Sequence, residues 1–179
     1  MNGEPDPLIQ VEGFMPDAGL HVLRRLAAGR RVLEIGTWKG RTAINMAQVA
    51  THVWAIDHFQ GDAYVGVGSN TLKEAWQNIY DHQCMDKIRL VAAKWEDVLP
   101  LIDLRAFDLV LYDGDHDYQP TFDFLAQALR RCRESTTIVL DDYGPAYPQV
   151  MRAVADVVNV TPLLGRRVRV EGALWILAE

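Results

Sequence analysis

Five acidic residues and one histidine crowd two short stretches of the chain: Asp113, Asp115, His116 and Asp117 in LVLYDGDHDY, and Asp141 and Asp142 in IVLDDY. Carboxylates delivered by two separate backbone segments suit metal chemistry. Asp113, Asp141 and Asp142 offer three oxygen donors, a set that matches a hard divalent cation such as Mg2+ and leaves coordination positions for water or substrate oxygens. His116, whose side chain ordinarily titrates near pH 6.5, suits removal of a hydroxyl proton at neutral pH; hydrogen bonding to a loop carbonyl is the alternative. Asp141 and Asp142 also suit a plain loop-capping role with nothing bound. Asp115 and Asp117 read as loop acids.

A second group opens the chain's first apolar run, in VLEIGTWKGRT, Val32 to Thr42. Gly36 and Gly40 permit a tight turn and close approach of a ligand to the backbone, and a helix beginning there presents unpaired N–H groups to an anion. Asp57, in VWAIDHF, follows Glu34 by about the 20 residues at which an acid reaches ribose hydroxyls in a βαβ unit. A dinucleotide fingerprint would need glycine where Trp38 and Arg41 stand. A ligand with ribose but no pyrophosphate therefore fits better. The alternative is a loop in which both glycines only shape a turn.

These groups need a scaffold that brings their loops together. Apolar runs at Arg31–Ile35, His52–Ile56, Ile88–Ala92, Phe107–Tyr112 and Thr136–Leu140 lack strict polar alternation, as buried parallel strands do. Helical spacing marks Pro16–Ala28, Thr42–Ala50, Thr71–His82, a short piece at Glu96–Leu101, Thr121–Arg133 and Tyr147–Asp156. Val157–Thr161 and Gly172–Leu177 read as two closing strands with no room for a crossover helix between them. The pattern predicts an α/β fold: a Rossmann-like, doubly wound, mostly parallel seven-stranded sheet ending in an antiparallel hairpin. It spans residues 1–179 as one domain, with 1–15 as an N-terminal extension. In such sheets the ligand sits beyond the carboxyl ends of the strands, where the acids of this chain accumulate. Gly61, Gly66 and Gly68 give the segment after the second strand the composition of either a lid or a surface loop.

The net charge of −6 gives no general attraction to a polyanion, so neither nucleic acid nor an anionic membrane surface is an expected partner. Arg166, Arg167 and Arg169 form a local basic patch that reads as a solvated turn. Cys84 and Cys132 sit in no metal-binding or CxxC spacing and read as free thiols. The N-terminus lacks the basic-then-apolar order of a secretory signal, and no apolar run reaches the ~18 residues of a membrane span. A soluble cytoplasmic protein is expected.

VLEIGTWKGRTAINMA followed by VWAIDHFQGD resembles the S-adenosylmethionine-binding opening of class I methyltransferases, in the branch whose loop reads E-x-G-x-x-x-G-x-[ST], as in catechol O-methyltransferase-like enzymes. LVLYDGDHDY and IVLDDY resemble the macrocin O-methyltransferase-like family. The resemblance implies that Gly36, Thr37 and Gly40 pass beside the methionine part of the cofactor, with Thr42 near its carboxylate. It further implies that Asp57 takes the ribose hydroxyls and His58 lies against the nucleoside. Lys94 and Trp95 occupy the adenine-contacting place, where Trp95 either stacks on the ring or is a core tryptophan. Glu34 orients the loop, and Trp38 and Asp113 complete the cofactor set, Trp38 covering the methionine end or facing the acceptor. In the resembled enzymes a divalent ion holds the acceptor hydroxyl, which here implies an ion at Asp113, Asp141 and Asp142. The implied activity is Mg2+-assisted O-methylation of a small hydroxylated molecule, a sugar or natural-product intermediate.

Asp113-Gly114-Asp115-His116 stands where amino-methylating nucleic-acid enzymes carry [DN]PP[YFW], which argues against a base methyltransferase. The short region before the first helix leaves room for a homodimer in which a partner subunit supplies a substrate cap. A non-catalytic S-adenosylmethionine-binding module and an NAD-dependent oxidoreductase are the rival readings, the latter opposed by Trp38.

Overall fold

A computed structural model describes residues 7–61, 66, 68–161, 163 and 165–179. Five strands, β1 (Arg31–Ile35), β2 (His52–Asp57), β3 (Ile88–Ala92), β4 (Leu109–Tyr112) and β5 (Thr137–Leu140), pair in parallel. β6 (Arg167–Glu171) and β7 (Leu174–Ala178) form an antiparallel hairpin, whose β7 pairs antiparallel with β5. The order is β3-β2-β1-β4-β5-β7-β6, the doubly wound arrangement expected from the sequence.

Both faces of the sheet are covered, which explains the near-continuous apolar strands. On one face Val32, Val53, Ala55, Leu109, Leu111, Val139 and Ile176 pack with α1 (Asp17–Ala27), α2 (Arg41–Ala47) and Ile79 of α3 (Leu72–Asp81). On the other, Leu33, Ile35, Val110, Tyr112, Ile138 and Leu140 pack with Trp95 of the short α4 (Trp95–Val98), Phe124 and Ala128 of α5 (Tyr118–Arg131), and Val154 and Val157 of α6 (Pro148–Val160). Among the described residues no helix is long and apolar enough to cross a membrane. Cys84 and Cys132 are free.

Two sequence expectations fail at the C-terminal end. Val157–Thr161 is not a strand, because Val150, Ala153, Val154 and Val157 continue one buried helical stripe and carry α6 to Val160. The run of β-branched residues there mimics a strand, but packing against the sheet overrides propensity. The first arm of the hairpin lies later, at Arg167–Glu171, so Arg167 and Arg169 belong to an exposed edge strand, whereas Arg166 precedes it and is half-buried, donating to the carbonyls of Thr136 and Leu177. Of the glycine-rich segment after β2, 62–65 and 67 lie outside the described residues, and the lid expectation with them.

The extension before α1 is fastened to α2. Arg41 donates from Nε to the carbonyl of Met15 (3.1 Å) and from Nη1 to that of Val11 (2.7 Å), and its Nη2 pairs with Asp17 (2.6 Å). Asn45 accepts from the N–H of Ile9 and donates back to its carbonyl, and Lys39 pairs with Glu12. Residues 13–16 are thereby held against the carboxyl end of β1.

Gly36 is the tightest point of this scaffold. Its φ is 87°, and a Cβ built there would lie 1.8 Å from the carbonyl oxygen of Asp113 on the neighbouring strand end. Gly36→Ala combines a left-handed backbone penalty of about 1–2 kcal/mol with a backbone clash that only separation of β1 and β4 relieves. The variant is expected to lose at least about 2 kcal/mol in urea unfolding; unchanged stability would contradict the close approach.

Candidate active site

β1 lies between β2 and β4, so the strand order reverses there and the loops after β1 and β4 leave in opposite directions. A cavity of about 470 Å3 opens at this point, within the size range of small-ligand pockets. Its wall contains Gly36, Thr37, Trp38, Thr42, Asp57, His58, Trp95, Asp113, His116, Asp141 and Asp142. The two groups picked out in the sequence therefore share one cavity.

The β1–α2 loop owes its shape to Asp57. One carboxylate oxygen accepts the backbone N–H groups of Thr37 (2.9 Å) and Trp38 (2.8 Å), and the other accepts that of Phe59 (2.6 Å). A carboxylate has about four lone-pair sites, so this network leaves room for a further donor from the cavity. Trp38, at φ 46°, and Phe59, at φ 58°, hold left-handed backbone where non-glycine residues rarely sit. Gly40 precedes α2 at φ 89°.

Glu34 stands in the central strand, fully buried. One of its oxygens accepts the hydroxyl of Thr37 (2.9 Å), and the other has no partner among the described residues. Burial pushes its carboxyl up to about 8 despite the Thr37 hydrogen bond, with the charge of Asp57 adding to the rise. Glu34 is thus a neutral acid that braces the loop from below, as expected of a loop-orienting residue.

The β4 and β5 ends carry the acidic cluster. Asp113 lies well above the usual carboxylate range, through burial and then the charges of Asp141, Asp142 and Glu34, and it donates a hydrogen bond to Asp141. Asp141 is raised to about 6, by burial and by the charge of Asp142. Nε2 of His116 pairs with Oδ2 of Asp142, and the imidazole ring stacks on Tyr147 at 4.6 Å. Asp142 itself sits at φ 56°. Ligand atoms of Asp113, His116 and Asp142 all lie within 4.8 Å of one another. Asp141, hydrogen-bonded to Asp113, lies in the same cluster and lines the same cavity.

Lys94 is exposed and lies outside the cavity wall, whereas Trp95 is buried edge-to-face against Tyr112 and Phe124. Trp95 is thus a core residue whose indole N–H, like that of Trp38 and the hydroxyl of Thr71, is buried without a partner among the described residues. Three such orphaned donors around one cavity point to a polar ligand, since an unmet buried donor costs about 1–3 kcal/mol. Sequence reasoning missed Phe14, Thr71 and Tyr147. Phe14 packs against Trp38 with the rings tilted and their centroids 4.9 Å apart, while remaining 74% exposed at the cavity rim. Its placement depends on the Arg41 clamp, which no local periodicity announces.

The Glu34 carboxyl predicts a pH effect. The unfolded chain ionises this group near 4.5 and the folded one near 8, so its burial costs nothing below about pH 4.5 and progressively more up to pH 8. The slope is roughly 1.4 kcal/mol per pH unit within that window. Glu34→Gln, which keeps an acceptor for Thr37, is expected to gain stability over the parent as pH rises from about 5 to 8 in urea titrations. A difference independent of pH would mean that Glu34 is ionised in the fold.

Similarity to known proteins agrees with this geometry. A family model described as a methyltransferase domain matches residues 33–143. No curated protein matches the chain. Among solved structures, cofactor-bound Rv0187 from MTB superposes with a TM-score of 0.71 at 22% identity, covering 96% of this chain and 82% of its own. The O-methyltransferase NovP gives a TM-score of 0.71 at 19% identity, with 89% and 78% covered. The O-methyltransferase TomG from Streptomyces achromogenes, in complex with SAM, gives 0.61 at 20% identity, with 88% and 76% covered. At these identities the likeness establishes the fold, while the matched family spans β1 to the acids after β5. The chain belongs to this methyltransferase domain family.

Proposed function

We propose that the protein transfers a methyl group from S-adenosylmethionine to a hydroxyl oxygen of a small molecule, a sugar or natural-product intermediate, with the help of a divalent cation. One observation carries this reading: a single cavity is walled on one side by the Asp57-braced loop and on the other by the Asp113–His116–Asp142 cluster. The first half suits a nucleoside with a methionine tail, and the second suits an acceptor that must lose a proton. The naming of NovP and TomG as O-methyltransferases supports oxygen as the acceptor atom.

The residues divide the work. Asp57 offers its remaining lone pairs to ribose hydroxyls, His58 borders the nucleoside, and Thr37, Thr42 and the α2 N-terminus face the amino-acid part. The indole N–H groups of Trp38 and Trp95 are donors awaiting ligand acceptors. Crowded carboxyls at Asp113, Asp141 and Asp142 repel one another, and a cation relieves that repulsion, so the donor set fits one. The cation would supply Lewis-acid activation of the acceptor hydroxyl. The cluster receives the hydroxyl proton as the acceptor oxygen attacks the sulfonium methyl in line. The C–S bond breaks, and the cofactor leaves as a neutral thioether.

Asp57→Ala is expected to weaken S-adenosylhomocysteine binding by about tenfold or more in calorimetry, the value of a charge-assisted hydrogen bond of roughly 1.5–3 kcal/mol. Unchanged affinity would remove Asp57 from the nucleoside site. Joint replacement Asp141→Asn and Asp142→Asn is expected to abolish metal-dependent methyl transfer while cofactor affinity stays within about threefold. Full activity of the parent in chelator would reduce the cluster to structural acids.

A further inference from the structure

Resting on the methyl-transfer reading above, we infer that the acceptor is a flat aromatic ring without an anionic group, laid against Phe14 and Trp38 at the mouth of the cavity, with Phe14 as a specificity-determining residue.

Phe14 is an exposed ring on a segment that is otherwise fastened down. Val11 and Met15, on either side of it, are buried in the core with α1 and α2. Gly13 lies so close to Arg41 that a Cβ there would meet that side chain's Cδ at 2.6 Å, and Arg41 in turn grips the carbonyls of Val11 and Met15. Holding an apolar ring in water at the rim gains nothing for folding, whereas a ligand laid on it removes that surface from water. Trp38, tilted 33° to Phe14, is itself fixed in left-handed backbone by Asp57. Two rings held from two separate segments make a surface that suits a third.

Met15 and Pro16, from the same segment, and Ala173, from the β6–β7 turn, also line the cavity, and none carries a side-chain hydrogen-bond donor. A sugar presents several hydroxyls that are costly to bury unmet, and a phenolic ring presents few. Charge narrows the class further. Asp57, Asp113, Asp115, Asp141 and Asp142 line the cavity, whereas Arg41 is the one lysine or arginine there among the described residues, and its guanidinium is taken up by Val11, Met15 and Asp17. Lys39, beside Trp38, is paired with Glu12 and Glu74. None of residues 1–6, 62–65, 67, 162 and 164 is basic. A carboxylate or phosphate on the acceptor would enter a field of its own sign with no lysine or arginine free to receive it.

One phenolic ring carrying three different charges tests this on the full chain saturated with S-adenosylhomocysteine. Tyrosol (neutral), tyramine (cationic) and para-hydroxyphenylacetate (anionic) are titrated by ligand-observed NMR, with methyl glucoside as the sugar arm. Tyrosol and tyramine are expected to bind at least about tenfold more tightly than the carboxylate or the glucoside. Phe14→Ala is expected to weaken tyrosol binding by about tenfold and Phe14→Tyr to retain it, both keeping S-adenosylhomocysteine affinity within about threefold of the parent. Three results would overturn the assignment and leave methyl transfer standing: glucoside or carboxylate bound as tightly as tyrosol, tyrosol affinity unchanged in Phe14→Ala, or S-adenosylhomocysteine bound with none of the phenols. A parent that does not bind S-adenosylhomocysteine would overturn both.

Discussion

The Asp57 carboxylate, receiving three backbone N–H groups at the end of β2, is the interaction on which the site depends. It binds the loop after β1 to the neighbouring strand end and holds Trp38 and Phe59 in left-handed backbone. Such backbone is retained only when its surroundings over-determine it, and charge-assisted hydrogen bonds of this kind do so. Once the loop is fixed, Gly36 can lie against Asp113, and the β1 and β4 ends become two walls of one cavity. The Arg41 clamp then lays the N-terminal segment along the rim, bringing Phe14 onto Trp38.

The second wall is electrostatically uncomfortable by construction. Asp113 and Asp141 are gathered beside Asp142, where burial and the neighbouring charges oppose their ionisation. A hydrogen bond between Asp113 and Asp141 and the pairing of His116 with Asp142 absorb part of that cost. Buried acids that resist ionisation are an expensive way to hold a loop, and such clusters concentrate at functional sites. The neutral Glu34 beneath the other wall belongs to the same field, since its carboxyl feels the charge of Asp57.

Much of this was legible in the sequence, because the chemistry sits at strand ends and strand ends are marked by apolar runs. Gly36, Asp57, Asp113 and Asp142 were all identifiable from position alone, and the doubly wound order follows from alternation of runs and helices. Two kinds of information were not legible. Where β-branched residues fill the last turn of α6, strand propensity and helical burial compete, and only tertiary packing decides between them. Side-chain direction is likewise not encoded in spacing. That Asp141 hydrogen-bonds to Asp113, that His116 meets Asp142 and Tyr147, and that Lys94 lies outside the cavity wall are tertiary outcomes.

The central claim is that one cavity holds a nucleoside cofactor against Asp57 and a cation against the acidic cluster, close enough for methyl transfer between them. A crystal structure with S-adenosylhomocysteine and Mn2+ tests it most directly. The account predicts ribose oxygens on the Asp57 carboxylate, the cofactor sulfur facing the cluster, and an ion ligated by Asp113 and Asp142. A cofactor bound away from Asp57, or a cavity that takes the cofactor while the cluster excludes the ion, would contradict it.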